Sequence, residues 1–164
     1  VERALTLILL VAVAAMLAAG CGGAERLEYE RDLAEVGRIV DDSLEQLPED
    51  DGSSVGPSEV ARIADDLREA ADQLADLDPP ADAAKAQARL ERGLRGVAES
   101  FDDLAAELRS ANSDDRKADL FVSFATDEDV EAAFADLLEA QEAFAREGYR
   151  VFGDRPVAAK PAAK

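Results

Sequence analysis

Gln87–Ala111, QARLERGLRGVAESFDDLAAELRSA, decides the fold of this chain. Gln87, Leu90, Leu94, Val97, Phe101, Leu104, Leu108 and Ala111 follow one another at alternating steps of three and four. That spacing lines them up along one side of an α-helix. Arg92, Glu99 and Asp103 fall on the opposite side and predict a solvated face. A half-buried strand would instead need apolar residues at every second position. Two glycines interrupt the helical pattern, and each costs about 1 kcal/mol relative to alanine in a helix. Gly93 flanks the apolar stripe, and Gly96 is expected to point outward. Glycines in such places serve close helix packing more often than a kink or a ligand niche.

The same period extends in both directions. Val60, Ile63, Leu67, Ala70, Leu74 and Leu77 predict a second helix, with Ser58 as its cap and Glu59 in its first turn. Leu77-Asp78-Pro79-Pro80 links it to the helix above, with Asp78 expected to cap and the prolines to sit in the first turn. Leu33, Val36, Val40 and Leu47, with Ile39 and Leu44 beside them, predict an earlier helix over about residues 24–47. A polar loop, residues 48–57, follows it. Downstream, Asn112-Ser113-Asp114-Asp115 signals a turn, and Leu120 to Phe124 reads as a helical turn or two. Thr126 and Asp129 suggest the capping of a last helix with the stripe Val130, Phe134, Leu137, Gln141, Phe144, Gly148 and Val151. Gly153 is expected to end it, and residues 154–164 form a net basic tail without periodicity, expected to be disordered. The expectation is an all-α chain: an up-down-up-down four-helix bundle over residues 21–153.

The N-terminus is different. Residues 4–19 carry no charge, with Thr6 as the one hydroxyl. A membrane-spanning helix needs about 20 apolar residues, and this run better fits the apolar core of a signal peptide. It ends in Leu17-Ala18-Ala19-Gly20-Cys21, which contains the only cysteine of the chain. A single cysteine forms no internal disulfide, no Cys-x-x-Cys redox pair and no thiolate zinc site. The five residues resemble the lipobox of bacterial lipoproteins, although Ala18 stands where leucine is usual. That resemblance implies a signal peptide over residues 1–20, acylation of Cys21 and attachment to the extracytoplasmic face of the cell membrane. With the Leu77–Pro80 step, the chain is similar to uncharacterised lipoproteins of high-GC Gram-positive bacteria. They imply a small helical domain and no known activity.

Composition removes several classes of function. The chain has no histidine, which excludes Ser-His-Asp and Cys-His catalysis and histidine-based zinc, copper and haem sites. The formal charge is −19 over 164 residues, so phosphate backbones are repelled and nucleic acid is not an expected partner. Anionic membrane surfaces are repelled too, so any membrane attachment has to be covalent, as at Cys21, or inserted, as an uncut N-terminal anchor would be. A cationic ligand or a basic envelope protein is the electrostatically compatible partner. Carboxylates cluster at Glu49-Asp50-Asp51, Asp65-Asp66, Asp102-Asp103, Asp114-Asp115 and Asp127-Glu128-Asp129. An EF-hand register from Asp51 puts Gly56 sixth but Arg62 twelfth, where glutamate is required. These clusters are expected to cap helices and keep the surface wet.

No catalytic residue, cofactor or metal is therefore expected, and Cys21 is the one modified residue. The expected role is that of a non-catalytic, lipid-anchored binding or accessory protein. A structural, homo-oligomeric coiled-coil bundle is the alternative. A hydrolase using carboxylates alone would need a cleft with two converging acids. The aromatics, seven of eight beyond residue 100, are expected in the core, although they could also build a ligand cage. In the bundle, Tyr29, Tyr149 and Phe152 should meet at the end nearest Cys21.

Overall fold

The structure, a computed structural model, describes the backbone over residues 2–45 and 55–151 and the side chains over 23–45 and 55–151. The side chain of Cys21, the acidic run at 49–51, Phe152, Gly153 and the tail lie outside the described residues. Five helices follow in order: α1 Glu2–Leu44, α2 Pro57–Ala75, α3 Ala84–Ser110, α4 Asp114–Ala125 and α5 Glu128–Arg146. No strand occurs among the described residues.

The helix starts differ from expectation in instructive ways. α2 begins at Pro57 with Gly56 as N-cap and no side-chain cap, so Ser58 is already inside the helix. Proline serves there because its missing N–H would have had no helical partner. α3 begins at Ala84, later than expected, and Asp78 does not cap it. The residue before a proline is driven out of the helical region, so Pro79 cannot join a first turn. Residues 80–84 form a separate turn, in which the amides of Ala83 and Ala84 donate to the Pro80 carbonyl at 2.9 and 3.1 Å.

The short piece at 120–124 belongs to a helix of 12 residues, α4. Ser113 caps it by accepting from the Arg116 amide at 3.2 Å. Asp127, not Thr126, caps α5, its carboxylate accepting from the amides of Asp129 and Val130 at 2.9 and 3.2 Å. The Thr126 hydroxyl instead donates back to the Val122 and Ser123 carbonyls at the end of α4. α5 stops at Arg146, seven residues before Gly153. Gly148, at φ 83°, is the residue that turns the chain. The Tyr149 amide donates to the Phe144 carbonyl at 2.9 Å and the Gly148 amide to Ala145 at 3.1 Å. This paired closure with glycine in the left-handed region is the Schellman motif.

α3 is the centre of the domain and packs closely against α2 on one flank and α5 on the other, while α1 packs on α2. Small residues make the close approaches: Ala64, Ala70 and Ala71 of α2, Ala98 and Ala105 of α3, and Ala133 and Ala140 of α5 are all buried. On α5 the buried line runs Val130, Ala133, Leu137, Ala140 and Phe144, leaving Phe134 and Gln141 only partly covered. The glycines of α3 explain that rotation. A Cβ on Gly93 would meet Leu137 Cδ2 at 2.7 Å, and one on Gly96 would meet the Ala133 Cβ at 3.0 Å. Gly96 therefore faces α5 rather than solvent, because α3 is covered on more than the half-circle its apolar stripe supplies. The α2 and α3 stripes are buried inside this single chain.

Candidate functional site

One cluster draws together four distant parts of the sequence: the middle of α1, the turn before α3, the start of α3 and the end of α5. Tyr29 and Tyr149 meet edge to face with ring centroids 5.6 Å apart, as expected for these two residues. Phe144 adds a second edge contact to Tyr149 at 6.1 Å, which is the apolar contact that accompanies a Schellman end. The Tyr29 hydroxyl donates to Gln87 Oε1 at 2.8 Å. Gln87 Nε2 then donates to the carbonyls of Leu74 and Leu77 at 2.9 and 3.2 Å. Gln87 is 6% exposed, so it satisfies the carbonyls at the end of α2 from inside the core. The Tyr149 hydroxyl donates to Asp82 Oδ1 at 2.9 Å.

Arg26 covers the cluster from outside. Its guanidinium lies 4.1 Å from the centroid of the Tyr149 ring, within cation–π range. It also donates to Glu30 at 3.2 Å and to the Glu147 carbonyl at 2.5 Å, and stands 3.7 Å from Asp82. The Glu147 carbonyl lies in the C-terminal turn of α5, where a cation complements the helix dipole. The sequence signalled Gln87 as a polar residue on an apolar stripe; nothing in it signalled Arg26 or Asp82.

Burial first, then the Tyr149 and Asp82 charges, raise the pKa of Tyr29 far above its usual range. Burial and the hydrogen bond to Asp82 also raise Tyr149, against the pull of Arg26. Both phenols thus bind their protons more tightly when folded. The stability this contributes is complete below the ordinary tyrosine pKa of about 10 and is lost as pH rises above it. The chain has two tyrosines and both lie in this cluster, so tyrosinate absorbance reports on the cluster alone. In an alkaline titration, tyrosinate absorbance is expected to appear late and together with loss of helical circular dichroism. Phenolate formation near pH 10 with the helices intact would contradict the burial of Tyr29.

Each carboxylate cluster within the described residues has at least one member with a local partner. Asp65 pairs with Arg68 at 2.8 Å, Asp66 with Arg62 at 3.4 Å, and Asp102 with Arg68. Lys117, 2.8 Å from Asp114, holds that carboxyl below the usual range. Asp136 takes both ends of the Arg92 fork at 2.7 and 3.0 Å, and its pKa is lowered chiefly by that bond. Such exposed pairs are screened by solvent and add little to stability. Among the described residues no group of three or more His, Cys, Asp or Glu is arranged to hold a metal ion. Two surface concavities are present. One of about 310 Å³ lies between α2 and α3, lined by Arg68, Arg95, Glu99 and Asp102. The other, about 160 Å³, lies among α3, α4 and α5 and includes Asp103, Glu107, Asp127 and Asp129. Asp127 there already accepts two amides as the α5 cap.

No family model, no curated protein and no solved structure matches this chain.

Proposed function

We propose that this chain is a non-catalytic lipoprotein, held by lipid on Cys21 at the outer face of a bacterial cell membrane, with an accessory or binding role. The observation that carries the reading is Leu17-Ala18-Ala19-Gly20-Cys21, a lipobox-like ending to an apolar run too short to span a membrane. We infer further that α1, α2, α3 and α5 form an up-down-up-down bundle, with α4 as a short bridge between the last two. The contact of Tyr29 with Tyr149 supports this, because it brings the start of the domain beside the end of α5. Cys21 precedes Arg26 by five residues, so in this arrangement the tyrosine cluster stands nearest the lipid. The acidic remainder then faces the envelope, where a cationic ligand or a basic protein patch is the matching partner. Burial of the α2 and α3 stripes within one chain favours this reading over a coiled-coil oligomer. Among the described residues no helix is long and apolar enough to cross a membrane.

Cys21→Ser removes the one acylation site. The variant, expressed in a lipoprotein-processing bacterium, is expected to leave the membrane fraction almost completely. Retention at the wild-type level would defeat the lipid-anchor reading.

A further inference from the structure

α1 is fastened differently from the other long helices. Its backbone approaches α2 closely and, among the described residues, no other helix. α2, α3 and α5 form a continuous series of close pairs. Polar and aromatic contacts tie α1 to the end of α5, and they gather at Arg26 and Tyr29. Arg26 touches the C-terminal turn of α5 through the Glu147 carbonyl and the ring of Tyr149, and the turn before α3 through the carboxylate of Asp82. Tyr29, one turn further along, adds the ring edge against Tyr149. The Arg26 side chain is 37% exposed, so water and ions reach it without any opening of the core.

We propose that Arg26 is a latch that couples the stretch of α1 around residues 26–30 to the C-terminal end of α5, so that the two segments loosen and close as one unit. The physical basis is that one planar guanidinium makes contacts of three kinds across two chain segments far apart in sequence: a charged hydrogen bond, an ion pair and a stacked ring. No second cation bridges these two ends among the contacts of the described cluster. Removing Arg26 leaves the Glu147 carbonyl and the Tyr149 face without their cover, and leaves the Tyr29 ring edge as the remaining described contact between α1 and the end of α5. A competing anion at Arg26 is then felt at the end of α5. The proposal does not depend on lipid at Cys21.

Hydrogen exchange read by mass spectrometry on the full chain tests it. Arg26→Met keeps the apolar stem and removes the guanidinium. Amides over residues 27–40 and those that close α5, Gly148 and Tyr149, are expected to exchange about tenfold faster together, while α2 and the centre of α3 are unchanged. Arg31→Met is the control: Arg31 is 72% exposed, its ion pairs are with Glu28 and Asp32 of its own helix, and neither segment should change. Arg26→Lys keeps the charge but not the planar fork, and should give the same two-segment pattern at about threefold. Faster exchange confined to one segment, no change in either, or an even loss over all helices overturns the latch.

Discussion

Replacing Gly93 with leucine is expected to destabilise the protein by about 3 kcal/mol, the upper end of the usual overpacking range. The reason lies across the α3–α5 contact. A Cβ at Gly93 would already stand 2.7 Å from Leu137 Cδ2 and 3.0 Å from the Leu137 backbone nitrogen. The methyl group can rotate away, but the backbone nitrogen moves only with α5. Alanine at the same position tests the balance of two effects. It gains about 1 kcal/mol of helix propensity and loses about 1–3 kcal/mol to the clash, so the net change is expected to be destabilising. Leu137→Ala alone should cost ~2–5 kcal/mol, because Leu137 is 1% exposed. In that background Gly93→Ala should cost less than in the unaltered protein, because the Leu137 Cγ and Cδ2 contacts are gone while the backbone nitrogen stays at 3.0 Å. Urea unfolding of the four proteins in this cycle measures the coupling, expected at about 1 kcal/mol or more. If Gly93→Ala stabilises the otherwise unaltered protein by the full propensity gain, α5 does not lie over Gly93.

Gln87→Leu is expected to have a comparable effect, on the order of 3 kcal/mol, for the opposite physical reason. Leucine fills nearly the same space, so no large cavity forms. What is lost is the partner of the Tyr29 hydroxyl and of the Leu74 and Leu77 carbonyls. A buried polar group left without a partner costs about 1–3 kcal/mol, and here three groups share one. Tyr29→Phe should cost less, about 1 kcal/mol, since its loss leaves Gln87 with both carbonyl bonds. Combining Tyr29→Phe with Gln87→Leu should recover part of the loss, because the hydroxyl that leucine strands is then absent. Thermal unfolding of the two single variants and the pair separates these contributions. A Gln87→Leu protein that melts with the wild type would mean that the amide does not carry the end of α2.

Helix ends were less legible than helix faces. Ser58, Asp78 and Thr126 all have the chemistry of a cap, yet Gly56, Ala83 and Asp127 occupy those positions. A cap is chosen by where the chain can leave the helical region, which prolines and neighbouring turns decide within one or two residues. Leu120 to Phe124 was too short an apolar run to reveal a helix of 12 residues. α4 buries only Leu120 fully and is defined by its cap at Ser113 and by packing on α3. The Gly148 turn was hidden because glycine at that position also fits the spacing of the α5 stripe.

The candidate site divides the same way. The meeting of Tyr29 and Tyr149 followed from helix order and short connections alone, since those fix which chain ends lie together. Arg26 and Asp82 had no signal, because a charged residue in an acidic, arginine-bearing helix looks like any solvated one.

By itself the sequence determined the helical class, the inward line of α2 and α3 and the exclusion of histidine chemistry. Those follow from residue type and from the 3.6-residue period, which are local properties. Only the tertiary structure decided which flank of α3 receives α5, why Gly93 and Gly96 are glycines, and that one arginine joins α1 to the end of α5. These depend on the distance between helices far apart in the chain. That distance is set by how small the facing side chains are, and no single segment carries that information.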